Sequence, residues 1–520
     1  MNLLWFRRDL RLTDNEIVAL AAENNASVLP FFIIDPWFYQ WEDVGQARVR
    51  FLFESLEDLH KNLQRRGSYL TLFEGNAVEI IQQLTQYFLD REQSPKLYFN
   101  RDVQVEYGVT RDREIVEFYQ ASNLDYHLGL NHFLQLKDDR DRWFSEYYTY
   151  QRATPYTSPS NINTPPLSIP IKQLSFPQLK RKYREFWQMK KVYFKGGESR
   201  AMATLDSFLE RRFEGYHWKL SRPWLAQRGA TSHLSPHLTF GTISTREVYQ
   251  QTKARAVQLS HIPKVEFSLK NFRDRLRWHD SFTQRLYFYP EIAYQNRYPE
   301  FDDWYTPAQL SPQKQELFQA WQDGMTGFPL VDASMRQLKV MGWMNFRMRA
   351  MCATFLTINC GISWHHGARH YMNYLVDGDL AIDNWQWQMQ AGITNPLSET
   401  FRIYNPNKNI QEKDPNLRFI HHWVEELKVY NISDILAGKY LTESAYPKPI
   451  LDWSQTRKIN GKIVSNLRKQ VKERLLAEGG EEYDNAKVAK RTVEKYRQYQ
   501  EREYAQMNSN LDETASRFSS

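Results

Sequence analysis

The chain predicts an α/β domain built on a doubly wound parallel sheet, followed by an all-α domain. Three observations carry that reading. Short apolar strands alternate with amphipathic helices over residues 1–130, as in a parallel sheet joined by helical crossovers. The stretch TPYTSPSNINTPPLSIP, rich in Pro, Ser, Thr and Asn, then breaks the pattern. Beyond Gly196-Gly197-Glu198 strand signals fade, and helical periodicity runs to about Trp453.

In order, residues 3–6 (LLWF) read as the first strand, with Thr13 or Asp14 capping a helix that runs through Ala22. Residues 28–34 read as a buried second strand. Helix is expected over 49–65, strand over 69–73, helix over 77–87 and strand over 96–99. A helix through 114–119 and a strand near 124–128 complete the domain, which ends about residue 130. Residues 131–194 are expected to be linker, 195–455 the helical domain, and 456–520 a charged C-terminal extension mixing Lys/Arg with Glu. Sheets of this kind take ligands at the carboxyl ends of their strands.

At 520 residues the chain exceeds one ordinary core. Its composition is 42% hydrophobic and 25% charged, with no apolar run near the ~20 residues that span a bilayer. The opening MNLLWFRR places charge after the apolar residues, the reverse of a secretory signal. A cytoplasmic protein without a membrane partner is expected. Cys352 and Cys360 cannot form a disulfide framework, and His366 and His370 lack a third ligand, so no metal site is expected. Neither GxGxxG nor a P-loop occurs, which removes support for a dinucleotide dehydrogenase or an NTPase. A net charge of +7, with 16 Trp, 30 Tyr and 30 Phe, is compatible with nucleic acid or a stacked cofactor.

The most informative stretch runs from Gly342 to Pro406. It reads GWMNFRMRAMCATFL, then DGDLAIDNWQWQMQAG, then FRIYNP, and sets Arg347, Arg349, Asp377, Asp379, Asp383 and Arg402 in an apolar, Trp-rich context. Charges of both signs are rarely buried unless paired or holding a charged ligand. The pattern suggests a pocket for a large polar and aromatic cofactor.

Several motifs fall in register along most of the chain: WFRRDLRLTDN, FKGGE ending at Glu198, TSHLSPHLTFG from Thr231, TGFPLVDASMRQL from Thr326, and GWM from Gly342. Together they resemble the photolyase/cryptochrome family. The resemblance implies FAD folded into the helical domain, a possible second antenna chromophore of unknown identity, and damaged DNA as partner. Protein partners stay open.

Thr231, Ser232 and Ser235 are expected to satisfy the pyrophosphate at a helix start, and Tyr216 to reach toward it. Arg349 and Asp377 resemble the buried ion pair over the flavin, with Arg347 close by; Asp379 resembles a partner for the sugar or ring amide groups. The resemblance also places Leu234, Phe272, Arg275, Phe346 and Gly378 around the cofactor. Trp387 and Trp364 occupy the inner and middle positions of an electron-hopping chain, with Trp304 as the outer candidate. Asp383 stands where repair enzymes of the family usually carry Asn and plant-type cryptochromes Asp. A buried Asp held neutral could give a proton to the photoreduced ring.

The match departs from the family at the substrate cavity. Trp278 resembles the aromatic residue that packs against a flipped pyrimidine dimer. Arg275 replaces the family's acid, Asn345 its His, Phe346 its Asn, Ala350 a Met, and Met389 the second Trp of Trp-Gln-Trp. Loss of the His disfavours 6-4 chemistry. Glu106 and Tyr107 lie in the antenna region without reproducing the usual pair. The preferred reading is a photolyase splitting cyclobutane pyrimidine dimers. The alternative is a blue-light receptor, and a plain nucleic-acid-binding protein comes last.

Overall fold

The computed structural model describes residues 1–39, 44–137, 139–188, 191–398 and 401–478. Five parallel strands, β1 (Asn2–Phe6), β2 (Val28–Ile34), β3 (Thr71–Glu74), β4 (Lys96–Asn100) and β5 (Tyr126–Gly129), form one sheet in the order β3-β2-β1-β4-β5. All seven residues of β2 are buried, because helices cover both faces and leave no polar side to alternate with. The intervening helices are Glu16–Ala21, Gln46–Gln64, Ala77–Leu89 and Glu106–Ala121. Strand order reverses between β1 and β4, so the ligand crevice of such a sheet opens where Arg7, Arg8, Arg101 and Asp102 follow those strands.

The expected capping by Thr13 or Asp14 does not occur. Asn15 occupies the N-cap position without a side-chain capping bond. Asp14 is instead buried in an ion pair with Arg246, and it accepts from Ser244 Oγ at 2.6 Å and the Tyr156 amide at 3.0 Å. A carboxylate that can reach a guanidinium and a hydroxyl from another domain does not spend itself on a six-residue helix. Beside it, both Glu198 oxygens accept from the Leu12 and Thr13 amides at 3.0 and 2.8 Å. The LTDN and FKGGE motifs thus form one joint. Gly196 is required there: a Cβ would stand 2.1 Å from the Phe51 carbonyl oxygen.

The segment expected as linker, 131–194, is largely packed among its described residues. It contains the helices Arg140–Arg152 and Phe176–Lys182. Trp143 and Tyr147, one turn apart, bury into a cluster with Phe208, Tyr216, Leu234 and Phe272, and aromatic burial of that size makes a helix part of the core. Residues 172–174 run beside the edge strand β3, with Glu74 and Leu174 amides bonded across to Lys172 and Leu72 carbonyls at 3.1 and 2.9 Å. An otherwise open sheet edge is covered in this way.

The charged extension from residue 456, expected to form exposed helix, begins as a helix that is packed, Trp453–Ala477. Its buried residues Gly461, Val464, Arg468, Val471 and Leu475 recur at intervals of three and four, one narrow stripe on an otherwise charged helix. Arg468 donates to the carbonyls of Gly392, Thr394, Asn395 and Ser398. Residues 479–520 lie outside the described residues. No helix among the described residues is long and apolar enough to cross a membrane.

Candidate functional site

Three helices assemble the charged centre: Phe346–Thr354, Trp364–Tyr374 and Leu380–Gln390. Arg349 Nη2 grips both oxygens of Asp377 at 2.9 and 2.8 Å, while its Nε donates to the Met344 carbonyl at 2.9 Å. Its Nη1 lies 3.9 Å from Asp383 Oδ1. Asp383 Oδ2 accepts the Asp379 amide at 2.8 Å. Burial, opposed by Arg349 and reinforced by Asp377, pushes the Asp383 carboxyl up to about 7. The structure therefore brings Arg349, Asp377 and Asp383 together.

Asp379, expected to meet the sugar or ring amide groups, has inward commitments. Its Oδ1 accepts from the Ala381 and Ile382 amides at 3.1 and 3.3 Å, capping the Leu380–Gln390 helix, and its Oδ2 accepts from Arg8 Nη2 at 2.7 Å. Burial alone would raise this carboxyl, but Arg8 and His279 hold it below the usual range. A helix start with exposed amides takes the nearest carboxylate first. Arg8 comes from the crevice beside β1, so the parallel sheet is tied directly to the aspartate motif. Arg8 is about one-third exposed, and Arg8→Ala is expected to cost about 1 kcal/mol in urea unfolding.

Gly378 is fixed by crowding: a Cβ would lie 2.9 Å from Arg48 Nη1 and 3.0 Å from Met372 Sδ. Thr231 and Ser232 sit in a loop, and the helix opening at Ser235 has only five residues. So short a helix has little dipole. Tyr216 and Phe272 pack ring to ring at 5.5 Å over Phe208, with Leu234 buried beside them. Burial, opposed by Arg275, pushes the Tyr216 hydroxyl up to about 12.

Phe346 is 39% and Trp278 42% exposed. Phe346 lies between the guanidiniums of Arg275 and Arg347, at 5.1 and 5.0 Å, and Arg347 Nη1 donates to Tyr404 Oη at 2.7 Å. Arg402 lies 5.7 Å over the Tyr404 ring. Trp278 stacks on Phe282 at 5.8 Å. Met389 is half-buried, two residues beyond Trp387, and residues two apart on a helix project to nearly opposite sides.

Asp383 and Trp387 are one turn apart on the same helix. Trp387 packs so tightly on the Trp364–Tyr374 helix that a Cβ at Gly367 would stand 2.3 Å from its ring. Trp364, one turn before Gly367, donates to Asn296 Oδ1 at 2.8 Å and stacks on His365. Trp304 is half-buried, 3.8 Å from where a Gly361 Cβ would be. Sequence reasoning passed over Trp321, which is fully buried 6.2 Å from Trp387 with its Nε1 on the Cys352 carbonyl. Nothing local in the sequence shows that it meets Trp387.

The donor set fits FAD. Thr231 Oγ1, Asn345 Oδ1, Arg347 Nε and Asn384 Oδ1 are buried polar atoms without a protein partner, the condition of groups whose partner is a ligand. The antenna region is partly closed by its own side chains. Tyr107 stacks on Trp37 at 4.2 Å and donates to Asp35 at 2.5 Å, while Arg111 pairs with Asp102 and Asp112. In the crevice alongside, Asn100 Oδ1, Arg101 Nε, Gln104 Oε1 and His132 Nε2 lack partners.

The model of the FAD binding domain of DNA photolyase matches residues 272–466, and the DNA photolyase model matches residues 2–156. A deoxyribodipyrimidine photo-lyase from Synechococcus sp. is 30% identical over 91% of this chain and 98% of its own. A Synechocystis cryptochrome superposes with a TM-score of 0.77 at 25% identity, covering 89% of this chain and 99% of its own. A Sulfolobus tokodaii photolyase, solved with two FAD molecules, gives 0.73 at 28% identity over 90% and 100%. With its sheet, its paired guanidinium and carboxylates, and these matches along both domains, this FAD-binding chain belongs to the photolyase/cryptochrome family.

Proposed function

We propose that this chain repairs cyclobutane pyrimidine dimers in DNA under blue light. The observation that supports it best is a pair of exposed aromatic rings, Trp278, one turn beyond Arg275 on its helix, and Phe346, beside the guanidiniums of Arg275 and Arg347. Flat rings and guanidiniums suit a flipped base carrying phosphate on either side. When bound and reduced, FAD would supply a light-driven electron that is returned once the two C–C bonds joining the pyrimidines, C5–C5 and C6–C6, have broken and both C5=C6 double bonds are restored, so the reaction would be redox-neutral.

The chain's residues have separate tasks. Trp278 and Phe346 stack the extruded bases, and Arg275 donates to pyrimidine carbonyls and stabilises negative charge on them. Arg349, held by Asp377, attracts negative charge from the reduced ring. Asp383 holds a proton on Oδ1, the oxygen not occupied by the Asp379 amide. Trp387, Trp364 and Trp304 carry electrons inward from the surface. The unpartnered groups around Arg101 and His132 are the place for a second chromophore.

The receptor reading rests on a different observation, the carboxyl of Asp383 poised near neutrality. The test irradiates the reduced protein with ultraviolet-damaged oligonucleotide and counts the dimers remaining. Repair requires their loss, and Trp278→Ala should weaken binding of the damaged strand by about tenfold to a hundredfold, one stacked base. Unchanged dimers, with FAD tightly bound, would favour the receptor.

A further inference from the structure

The loop assigned to the cofactor's diphosphate carries no cation of its own. Its one ionisable residue, His233, is turned inward with Nε2 on the Ala226 carbonyl at 2.9 Å, and its ring packs against Phe194 and Trp343. Burial drops its pKa to about 4, so it is neutral at pH 7. A diphosphate on Thr231, Ser232 and Ser235 would meet only neutral groups from that motif.

Behind the loop stands Arg212, at the end of the turn Phe208–Arg212. Its Nη1 donates to the carbonyls of Gly229 and Thr231 at 3.0 and 2.5 Å, and its Nη2 to those of Thr204 and Ser232 at 2.9 and 3.4 Å. Its Nε donates to Ser207 Oγ at 3.0 Å. All these acceptors are uncharged. Among the described residues no carboxylate pairs with Arg212, and burial alone shifts its titration, downward. A half-buried guanidinium without a counter-ion is costly, and an anion bound nearby recovers that cost.

The geometry points to Arg212 as the positioning residue that gives this site its preference for a diphosphate-bearing flavin. Its fork fixes the carbonyls of Gly229, Thr231 and Ser232, and so holds in place the loop that carries the unpartnered Thr231 Oγ1. Its uncompensated charge then acts through one layer of backbone on the diphosphate. Gly229, at φ +94°, supplies the left-handed turn that brings those carbonyls onto one guanidinium. This inference rests on the reading of Thr231, Ser232 and Ser235 as the diphosphate loop.

The full-length chain, stripped of flavin, can be titrated with FAD and with riboflavin while flavin fluorescence is followed. Arg212→Gln should raise the Kd for FAD by about tenfold or more and leave that for riboflavin within about twofold. Arg212→Lys, which keeps the charge and loses the fork, should fall between. Equal weakening of both flavins, or a Lys variant no better than Gln, would make Arg212 a structural strut and overturn its charge role. No loss of FAD affinity would also overturn it. A wild-type chain that binds FAD no more tightly than riboflavin would remove the diphosphate loop itself.

Discussion

Replacing Asp383 with asparagine is expected to slow light-driven proton uptake and to stabilise the protein at alkaline pH. The carboxyl titrates near 7 in the folded chain against 3.8 when unperturbed, with burial as the largest cause. The folded state therefore binds the proton more tightly than the unfolded state. Between about pH 4 and pH 7 stability falls as pH rises, by up to about 4 kcal/mol in total. The neutral amide of the variant carries no such cost, so Asp383→Asn should unfold at higher urea than wild type at pH 8. The advantage should shrink as pH is lowered toward 5. In the flavin-loaded protein, illumination with an external reductant should take up protons in wild type, as read by a pH-indicator dye. In the variant uptake should be at least about tenfold slower, because an amide cannot deliver a proton. Identical proton uptake, or a urea midpoint difference independent of pH, would remove Asp383 from that role.

Arg349→Met should be the most damaging single change at the site. Arg349 contacts both Asp377 and Asp383. Without it two buried carboxylates face each other, and about 3 kcal/mol of stability should be lost at pH 7. Asp377→Asn has a more specific consequence. It removes one of the charges that add to burial in raising Asp383 and frees Arg349 to pair with it, so the Asp383 carboxyl should move below its wild-type value. Infrared difference spectra of the carboxyl stretch against pH would read that movement, and a value unchanged from wild type would contradict the coupling.

Much of this was legible in the residues. Parallel strands buried on both faces must be continuous apolar runs, and Val28–Ile34 is one. The DGD motif and Asp383 could be placed because charge in an apolar, Trp-rich context needs a partner. What escaped were side chains whose partners lie far along the chain. Asp14 looks like a cap from its neighbours, and only the fold delivers Arg246 to it. Asp379 looks free until Arg8 arrives from β1. Residues 140–152 were read with the polar stretch that follows them, although Trp143 and Tyr147 already stood one turn apart. The stripe Gly461, Val464, Arg468, Val471 and Leu475 was masked by the lysines around it. Arg212 bears no motif at all; its importance lies in five uncharged acceptors gathered from two separate segments.

The most direct test is the colour of the purified chain and the identity of what it releases. Protein prepared in the dark and denatured should yield one FAD per chain from the helical domain, and Arg349→Met should yield markedly less. A well-folded wild-type protein that is colourless, releases no FAD and does not absorb blue light after incubation with it would contradict the account.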